Sequence, residues 1–491
     1  MTPISFDNSY GRLSERFYSR IKTNYVSRPQ LIRFNQELAA DLGIDAEWLT
    51  SKKGIGMLSG NLMPSGSDPL ASVYGGHQFG HYVPKLGDGR TMLVGEVMTE
   101  QGERYDVQLK GSGPTPYSRG GDGRSPLGPV LREYIVSEAM HELDIPTTRA
   151  LGAVLTGDKV MREKELPGAI LTRVARSHIR VGTHQYFAAY GDLESLANLA
   201  EYVIDRHYPE VKDSDEHVLS MLESVIAKQA DLIASWQLVG FVHGVMNTDN
   251  MLLSGETIDY GPCAFIDGYN EHAVYSSIDR GGRYAYRNQP GVCHWNLGCL
   301  AQSLLPILVK SKEGASEDLE NTLNLFPDLY LKFYINRARP KFGFVSKEKD
   351  DLSLVEDWFK ILGDEKDDFT LAFRRLSDIS GNDDACDNVA DLFEFSAEYQ
   401  NWIGRWEDRC SREDISLKER QALMYSVNPI YIPRNHIVER VIDSATENDD
   451  YGPFNDFVDV LSSPYTYRSE FVNYARPPKD EEIVTKTFCG T

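Results

Sequence analysis

The chain has 491 residues, enough for one large two-lobed unit or two to three domains with an ample core. Its 51 basic and 73 acidic residues give a formal charge of −22, which argues against generic binding to nucleic acid or to an anionic membrane and requires any anion site to be assembled locally. No run of about 18 apolar residues occurs, and the start, Met1-Thr-Pro-Ile-Ser-Phe-Asp-Asn-Ser-Tyr, has neither an apolar secretory core nor an Arg-rich amphipathic segment, so the cytoplasm is the expected location.

The first 65 residues mix amphipathic pieces with the Gly/Ser/Pro-rich stretch Ser59-Gly-Asn-Leu-Met-Pro-Ser-Gly-Ser, which reads as a linker or flap. Between about residues 70 and 175, β-type runs follow: Thr91-Met-Leu-Val-Gly-Glu-Val, Tyr105-Asp-Val-Gln-Leu-Lys and Gly168-Ala-Ile-Leu-Thr-Arg-Val. One helix interrupts them, because Leu131, Ile135, Ala139 and Leu143 recur at four-residue steps behind Pro126 and Gly128. From His217 the apolar positions again follow helical spacing, and Gly240 is a natural stop. Met251-Leu-Leu and Thr257-Ile-Asp flank Ser254-Gly-Glu and read as a short hairpin. Beyond about residue 295 the patterns are mainly helical, with acidic interruptions at Gly381-Asn-Asp-Asp and Glu447-Asn-Asp-Asp. A sheet-rich part followed by a helix-rich part suits a two-lobed α+β fold.

Two Gly-rich loops carry arginines: Leu86-Gly-Asp-Gly-Arg and Ser118-Arg-Gly-Gly-Asp-Gly-Arg. Glycines let backbone approach an anion and guanidinium groups grip phosphate oxygens in pairs, although either loop by itself is equally a hairpin turn. Lys110 ends a β-type run, where a Lys can place its ammonium against phosphate and a helical carboxylate such as Glu133 can hold it; a lone strand Lys is otherwise a surface residue. Arg173 and Arg180 add local positive charge, or serve as surface ion-pair partners.

The stretch Phe241-Val-His-Gly-Val-Met-Asn-Thr-Asp-Asn-Met-Leu-Leu, with Thr257-Ile-Asp-Tyr-Gly-Pro after it, has the outline of a kinase active site in which Val245 stands where the catalytic Asp belongs. Asn250 and Asp259, on either side of the expected hairpin, offer hard oxygens to one divalent cation. Asp249 is the best remaining candidate for a proton acceptor, the alternative being a solvated loop acid, while His243 reads as an organising residue. Six scattered cysteines form no disulfide framework; Cys263, Cys293, Cys299, Cys386 and Cys410 read as structural thiols, and Cys489, close to the end, as a candidate for redox chemistry.

Several long motifs in one order give the chain a resemblance to a known family. Tyr74-Gly-Gly-His-Gln-Phe-Gly, Lys85-Leu-Gly-Asp-Gly-Arg, Leu109-Lys-Gly-Ser-Gly, His243-Gly-Val-Met-Asn-Thr-Asp-Asn, Ile258-Asp-Tyr-Gly-Pro, Asn428-Pro-Ile-Tyr-Ile-Pro-Arg-Asn-His and the Cys-Gly-Thr end are similar to those of the selenoprotein O or YdiU-type protein adenylyltransferases, also called pseudokinases. The resemblance implies a protein-kinase-like two-lobed fold in which ATP lies reversed and presents its α-phosphate to a protein hydroxyl, so that AMP is transferred. By matching motif it implies nucleotide contacts at Gly87, Gly89, Arg90, Lys110, Asp122, Gly123, Arg173 and Arg180. It implies metal ligation by Asn250 and Asp259, with Asp259 also near the nucleotide, and proton acceptance by Asp249. The expected cofactors are Mg2+ or Mn2+ and ATP, with UTP and UMP transfer as the alternative. The expected partners are proteins bearing Ser, Thr or Tyr hydroxyls, with no nucleic acid and no membrane.

Some members of that family are linked to a disulfide between the C-terminal end and the activation-loop region. Here no Cys occurs between Asp267 and Pro290, and Cys263 and Cys293 only flank that stretch. The expected organisation is an N-terminal extension or flap over residues 1–65, a sheet-rich nucleotide-binding lobe over 66–195, and a helix-rich lobe with the metal site and C-terminal tail over 196–491. On the residues alone, an atypical kinase moving the γ-phosphate and a non-catalytic nucleotide-binding scaffold remain open.

Overall fold

The β-type runs of the first 175 residues pair into one antiparallel sheet in the computed structural model, which describes residues 4–310, 313–381 and 392–488. Its strands are β1 (Tyr18–Arg20), β2 (Gln30–Phe34), β3 (Leu70–Ser72), β6 (Thr91–Met98), β7 (Arg104–Lys110), β8 (Ser125–Pro126), β9 (Arg149–Met161) and β10 (Glu165–Ala175), while β4 (Gly76–Gln78) and β5 (His81–Val83) form a separate hairpin. The sheet order is β1-β3-β6-β7-β10-β9-β2, with β8 also pairing to β10. In register, Lys110 lies opposite Thr91 on one side and Leu171 on the other, which puts the Lys at the end of a central strand. The three anticipated runs are β6, β7 and β10. The long strand β9 was not anticipated, because Arg149-Ala-Leu-Gly-Ala-Val-Leu is buried almost throughout and shows no polar alternation.

Residues of the 1–65 segment supply both edges of this sheet, β1 and β2. Ahead of them, the backbone of Asp7 bonds Glu96 O at 2.8 Å, and Asn8 Oδ1 accepts from Glu96 N at 2.9 Å. Gly95 makes this approach possible, since a Cβ there would lie 2.6 Å from both Asn8 and Phe6. Helices Gln36–Asp41, Ala46–Thr50 and Lys52–Leu58 bring Leu38, Leu49, Met57 and Leu58 against Val94, Val107, Val154 and Ile170. Each such side chain contributes about 1.5–3 kcal/mol by leaving water.

The expected helix is Leu127–Glu142, with Pro126 at its N-cap. Its Leu131, Ile135 and Ala139 share a core with Ala150, Ala153, Ala169 and Leu171, and the three small strand alanines let the helix lie close to the sheet. On its other side it meets helices Asn435–Asn448 and Gly452–Leu461, where Tyr134 contacts the Phe454 ring edge-on at 5.6 Å. Helix His217–Leu238 runs to Gly240, whose φ of +71° turns the chain into β11 (Phe241–Val242), paired with β12 (Ala264–Phe265). The remainder is mainly helical, so the molecule is a mixed α/β structure. Among the described residues no helix is long and apolar enough to cross a membrane.

The hairpin expected over 251–258 is not formed. Leu252 bridges to Arg180 and Thr257 to Thr147, so these backbones pair with segments 179–181 and 146–148 instead of with each other. Cys263, Cys293, Cys299 and Cys410 are buried, as structural thiols should be, and burial pushes the Cys293 thiol up. Cys386 and Cys489, and with Cys489 the redox expectation, lie outside the described residues.

The motif at 428–436 is structural. Arg434 is wholly buried, with Nη1 2.6 Å from Asp267 Oδ1 and 2.8 Å from Asp368 Oδ2, and it ties the chain after β12 to two C-terminal helices. Burial raises Asp267 to about 6 against the opposing pull of Arg434. Arg434→Met leaves two buried carboxylates without their cation, so the urea midpoint should drop by the equivalent of about 3–5 kcal/mol at unchanged slope. A carboxyl whose pKa is raised on folding weakens the fold above that pKa, so the deficit should narrow as pH falls from 7 to 5. A deficit independent of pH would contradict this account.

Candidate active site

A cavity of about 730 Å3 lies where the end of β7, the two Gly-rich loops, helix Leu127–Glu142 and the segment 245–261 meet. Gly87, Gly89, Arg90, Lys110, Asp122, Gly123, Arg180, Asp249, Asn250 and Asp259 all line it. Arg173 does not line it, but reaches it through Asp259.

The two Gly-rich loops form one wall by packing on each other. Thr115 Oγ1 donates to Asp88 O at 2.6 Å, and Ser118 Oγ donates to Gly89 O. Gly87 has φ +71°, and a Cβ there would run into the Tyr117 ring. A cradle of free amides is not formed in the first loop: the N–H groups of Leu86 and Gly87 donate to Tyr74 O, and that of Asp88 to Ser72 O. What this loop presents is close backbone and the Arg90 side chain. Asp122 is bound by Arg162 at 2.9 Å; that bond lowers its carboxyl, partly offset by burial.

At the inner end, three cationic side chains converge on Asp259 and Glu133 bridges two of them. Lys110 Nζ lies 2.7 Å from its Oδ1, Arg173 Nη2 2.7 Å from the same oxygen, and Arg180 Nη1 3.1 Å from Oδ2, while Glu133 binds both Lys110 and, at 2.6 Å, Arg173. Burial works to raise the Asp259 carboxyl, but Lys110, Arg173 and Arg180 overcome it and hold it well below the usual carboxylate range. Burial likewise opposes ionisation of Glu133, and Arg173 and Lys110 keep its carboxyl lowered. Asp259 itself sits at φ +64°, a conformation a non-glycine residue keeps only when its surroundings fix it. Arg180 also lies over the Tyr74 ring at 4.7 Å and donates to Asp249 O.

The segment from His243 to Asn250 is held from behind. His243 Nε2 donates to Ile258 O at 2.8 Å and its Nδ1 accepts from Val245 N, so the imidazole is an internal tie. Burial lowers its pKa, which keeps the ring neutral. Val245 lines the cavity and its carbonyl accepts from Asn250 Nδ2 at 3.0 Å. Asp249 is 8% exposed, and burial lifts its carboxyl to about 6 despite the neighbouring Arg180. A carboxyl lifted in this way is a stronger base than a solvated one.

Among the described residues no group of three or more His, Cys, Asp or Glu is arranged to hold a metal ion. The donors present still suit a cation completed by phosphate and water: Asn250 spends its amide N–H on Val245 and keeps an oxygen to offer, and Asp259 is a carboxylate on the same cavity. The residues missed by sequence reasoning include Asp88, Gln78 and Asn247. Asp88 is 1% exposed, accepts from Ser72 N at 2.9 Å and faces Arg180 at 3.9 Å. Its only sequence signal was its place inside the first Gly-rich loop.

The family model described as Protein adenylyltransferase SelO matches residues 1–462. A Protein nucleotidyltransferase YdiU of Rhizobium meliloti (strain 1021) is 52% identical over 491 residues, covering 100% of both chains. Proteins of the same description from Rhodopseudomonas palustris (strain BisB18) and Bradyrhizobium diazoefficiens are each 50% identical over 486 residues, covering 99% of this chain and of theirs.

Gly87→Ala should displace the first Gly-rich loop from Tyr117 and add the strain of a side chain at positive φ, roughly 1 kcal/mol or more. We expect nucleoside triphosphate affinity, read by calorimetric titration, to fall about tenfold or more while the melting temperature changes little. Unchanged affinity would remove this loop from the binding wall.

Proposed function

The chain belongs to the SelO family of protein adenylyltransferases, and on that premise we propose that it moves AMP from ATP to Ser, Thr or Tyr hydroxyls of proteins and releases pyrophosphate, with UMP from UTP as the other nucleotide. The observation that carries this reading is the convergence of Lys110, Arg173 and Arg180 on Asp259 in the same cavity as the recessed carboxylate of Asp249. Phosphate-binding cations and a proton acceptor are the two things a nucleotidyl transfer requires of a protein.

We read the architecture as protein-kinase-like and two-lobed. In support, a Lys at the end of a central strand pairs with a Glu on the helix packed against the sheet, and Asn250 lines the same cavity while Asp259 bonds that Lys. Residues 66–195 then form the sheet-rich nucleotide-binding lobe and 196–491 the helix-rich one, with 1–65 as the extension that edges the sheet.

In the proposed reaction the acceptor oxygen attacks the α-phosphorus, its proton passes to Asp249, and the bond from the α-phosphorus to the bridging oxygen breaks so that pyrophosphate leaves. Lys110 and Arg180 stabilise the charge that builds on the phosphate oxygens, while Glu133 and Arg173 hold Lys110 and Asp259 in place. Gly87, Gly89 and Arg90, with Asp122 and Gly123, form the wall along which the triphosphate lies. Asn250 and Asp259 would hold Mg2+ or Mn2+, which supplies charge neutralisation at the phosphate oxygens.

With α-labelled and γ-labelled ATP in parallel, we expect label in protein from the α-position alone. Label from the γ-position alone would identify a kinase and overturn the transfer reading. Asp249→Ala should lower transfer by about 10²–10⁴-fold with nucleotide affinity within about twofold, the size expected for loss of a general base. Equal losses in rate and affinity would remove the proton-acceptor role. Asp259→Ala should abolish cation-dependent transfer in a protein that still melts cooperatively; persistence of transfer would overturn the ligand assignment.

A further inference from the structure

Given the transfer reading above, we propose that Gln78 is a positioning residue that fixes the carboxylate of Asp249 for proton acceptance. Gln78 lies in the hairpin β4–β5, the part of the Tyr74-Gly-Gly-His-Gln-Phe-Gly motif that nucleotide and metal binding leave unexplained. Three successive residues of this hairpin bond three successive residues of the 247–249 loop. His77 N donates to Thr248 Oγ1 at 2.7 Å, Gln78 Nε2 donates to Asp249 Oδ2 at 3.4 Å, and Phe79 N donates to Asn247 Oδ1 at 3.1 Å.

The hairpin is built for this contact at some conformational cost. Its turn residues Phe79 and Gly80 both have positive φ, +50° and +84°, the pattern of a two-residue turn that normally favours Asn or Gly at the first site. A bulky residue at positive φ is strained, and here the Phe79 N–H is fixed by Asn247 Oδ1 and by the Tyr284 hydroxyl, also at 3.1 Å. A second set of ties holds the base of the hairpin. Thr248 Oγ1 donates to Gln185 Oε1 at 2.6 Å, Gln185 Nε2 meets His77 Nδ1 at 2.8 Å, and Tyr82 OH donates to Gln185 O at 3.1 Å.

The hairpin also presses on Asp249 from the side. A Cβ at Gly76 would lie 2.8 Å from Asp249 Oδ1 and 3.1 Å from its Cβ, so the carboxylate fills the space a side chain at 76 would take. Asp249 Oδ1 is buried with no protein partner, and the Gln78 amide is the side-chain donor on Oδ2. Glycine at 76 and the amide at 78 together select one orientation of the carboxylate. Gln78 lines the cavity beside Asp249.

The test uses the full chain with Gln78→Ala and Gln78→Glu, the second keeping the shape but losing the donor. Crystal structures of both should show the Asp249 carboxylate rotated or in several orientations, with the His77–Thr248 and Phe79–Asn247 bonds intact. An unmoved Asp249 overturns the proposal whatever the activity. With α-labelled ATP, and with self-labelling and casein as acceptors, kcat should fall about tenfold to a hundredfold while nucleotide affinity and KM for casein stay within about twofold. Gln78→Ala added to Asp249→Ala should cost nothing further, because the two act through one group. Full additivity, or a Gln78→Glu variant as fast as the parent, would also overturn the proposal. Absence of α-label transfer by the parent chain would instead sink the transfer reading, and the orientation of Asp249 would still decide the role of Gln78.

Discussion

The site depends on the compensation of buried charge around Asp259. Lys110, Arg173 and Arg180 are nearly inaccessible and face Glu133, Asp259 and, at longer range, Asp88. Removing any one member leaves the others under-compensated in a medium of low polarity, where an unpaired ion costs several kcal/mol. The cluster therefore fixes the relative positions of four parts of the chain: β7, helix Leu127–Glu142, β10 with the residues just after it, and the loop around Asp259. Since three cations already face three carboxylates, the inner cluster has little net charge to offer a triphosphate. Arg90 and Arg119 add positive charge on the cavity wall.

That division of labour explains the acidic composition. A chain of charge −22 cannot attract a nucleotide by its overall field, so it concentrates arginines along one cavity and buries the ones that must not wander. Arg173 is the clearest case. It lies behind Asp259 at 1% exposure and bonds Glu133 twice, so it acts on the ligand side only by holding the carboxylate that Lys110 and Arg180 also grip.

Much of this was legible because local pattern and chemistry agreed. The alternation ending in Lys110, the four-residue steps of the helix carrying Glu133, and the Asn250 and Asp259 spacing were each visible, and the structure brings them to one cavity. The strand β9 was hidden because a strand buried on both faces loses its alternation. The supposed hairpin at 251–258 was misread because sequence shows that a turn exists but not which distant backbone its arms will meet. Gln78 and Asp88 were invisible for a related reason. Their importance lies in contacts with residues 171 positions away and with Arg180, 92 positions on, which no local motif reveals.

Val245 takes on a definite meaning in this setting. Its side chain occupies a place on the cavity wall where a carboxylate would stand close to Asn250, and its carbonyl orients that amide. A second acid there would add negative charge beside Asp249 and Asp259 and raise the cost of ionising both. Moving the acid four positions on, to 249, places it against the β4–β5 hairpin and beneath Arg180, away from the amide that Val245 steers. The loop thus holds two groups apart, with the carbonyl of residue 245 orienting the Asn250 amide and the side chain of residue 249 set against the hairpin. The apolar residue is part of that separation, and the hairpin with its strained tip completes it by fixing Asp249 from the opposite side.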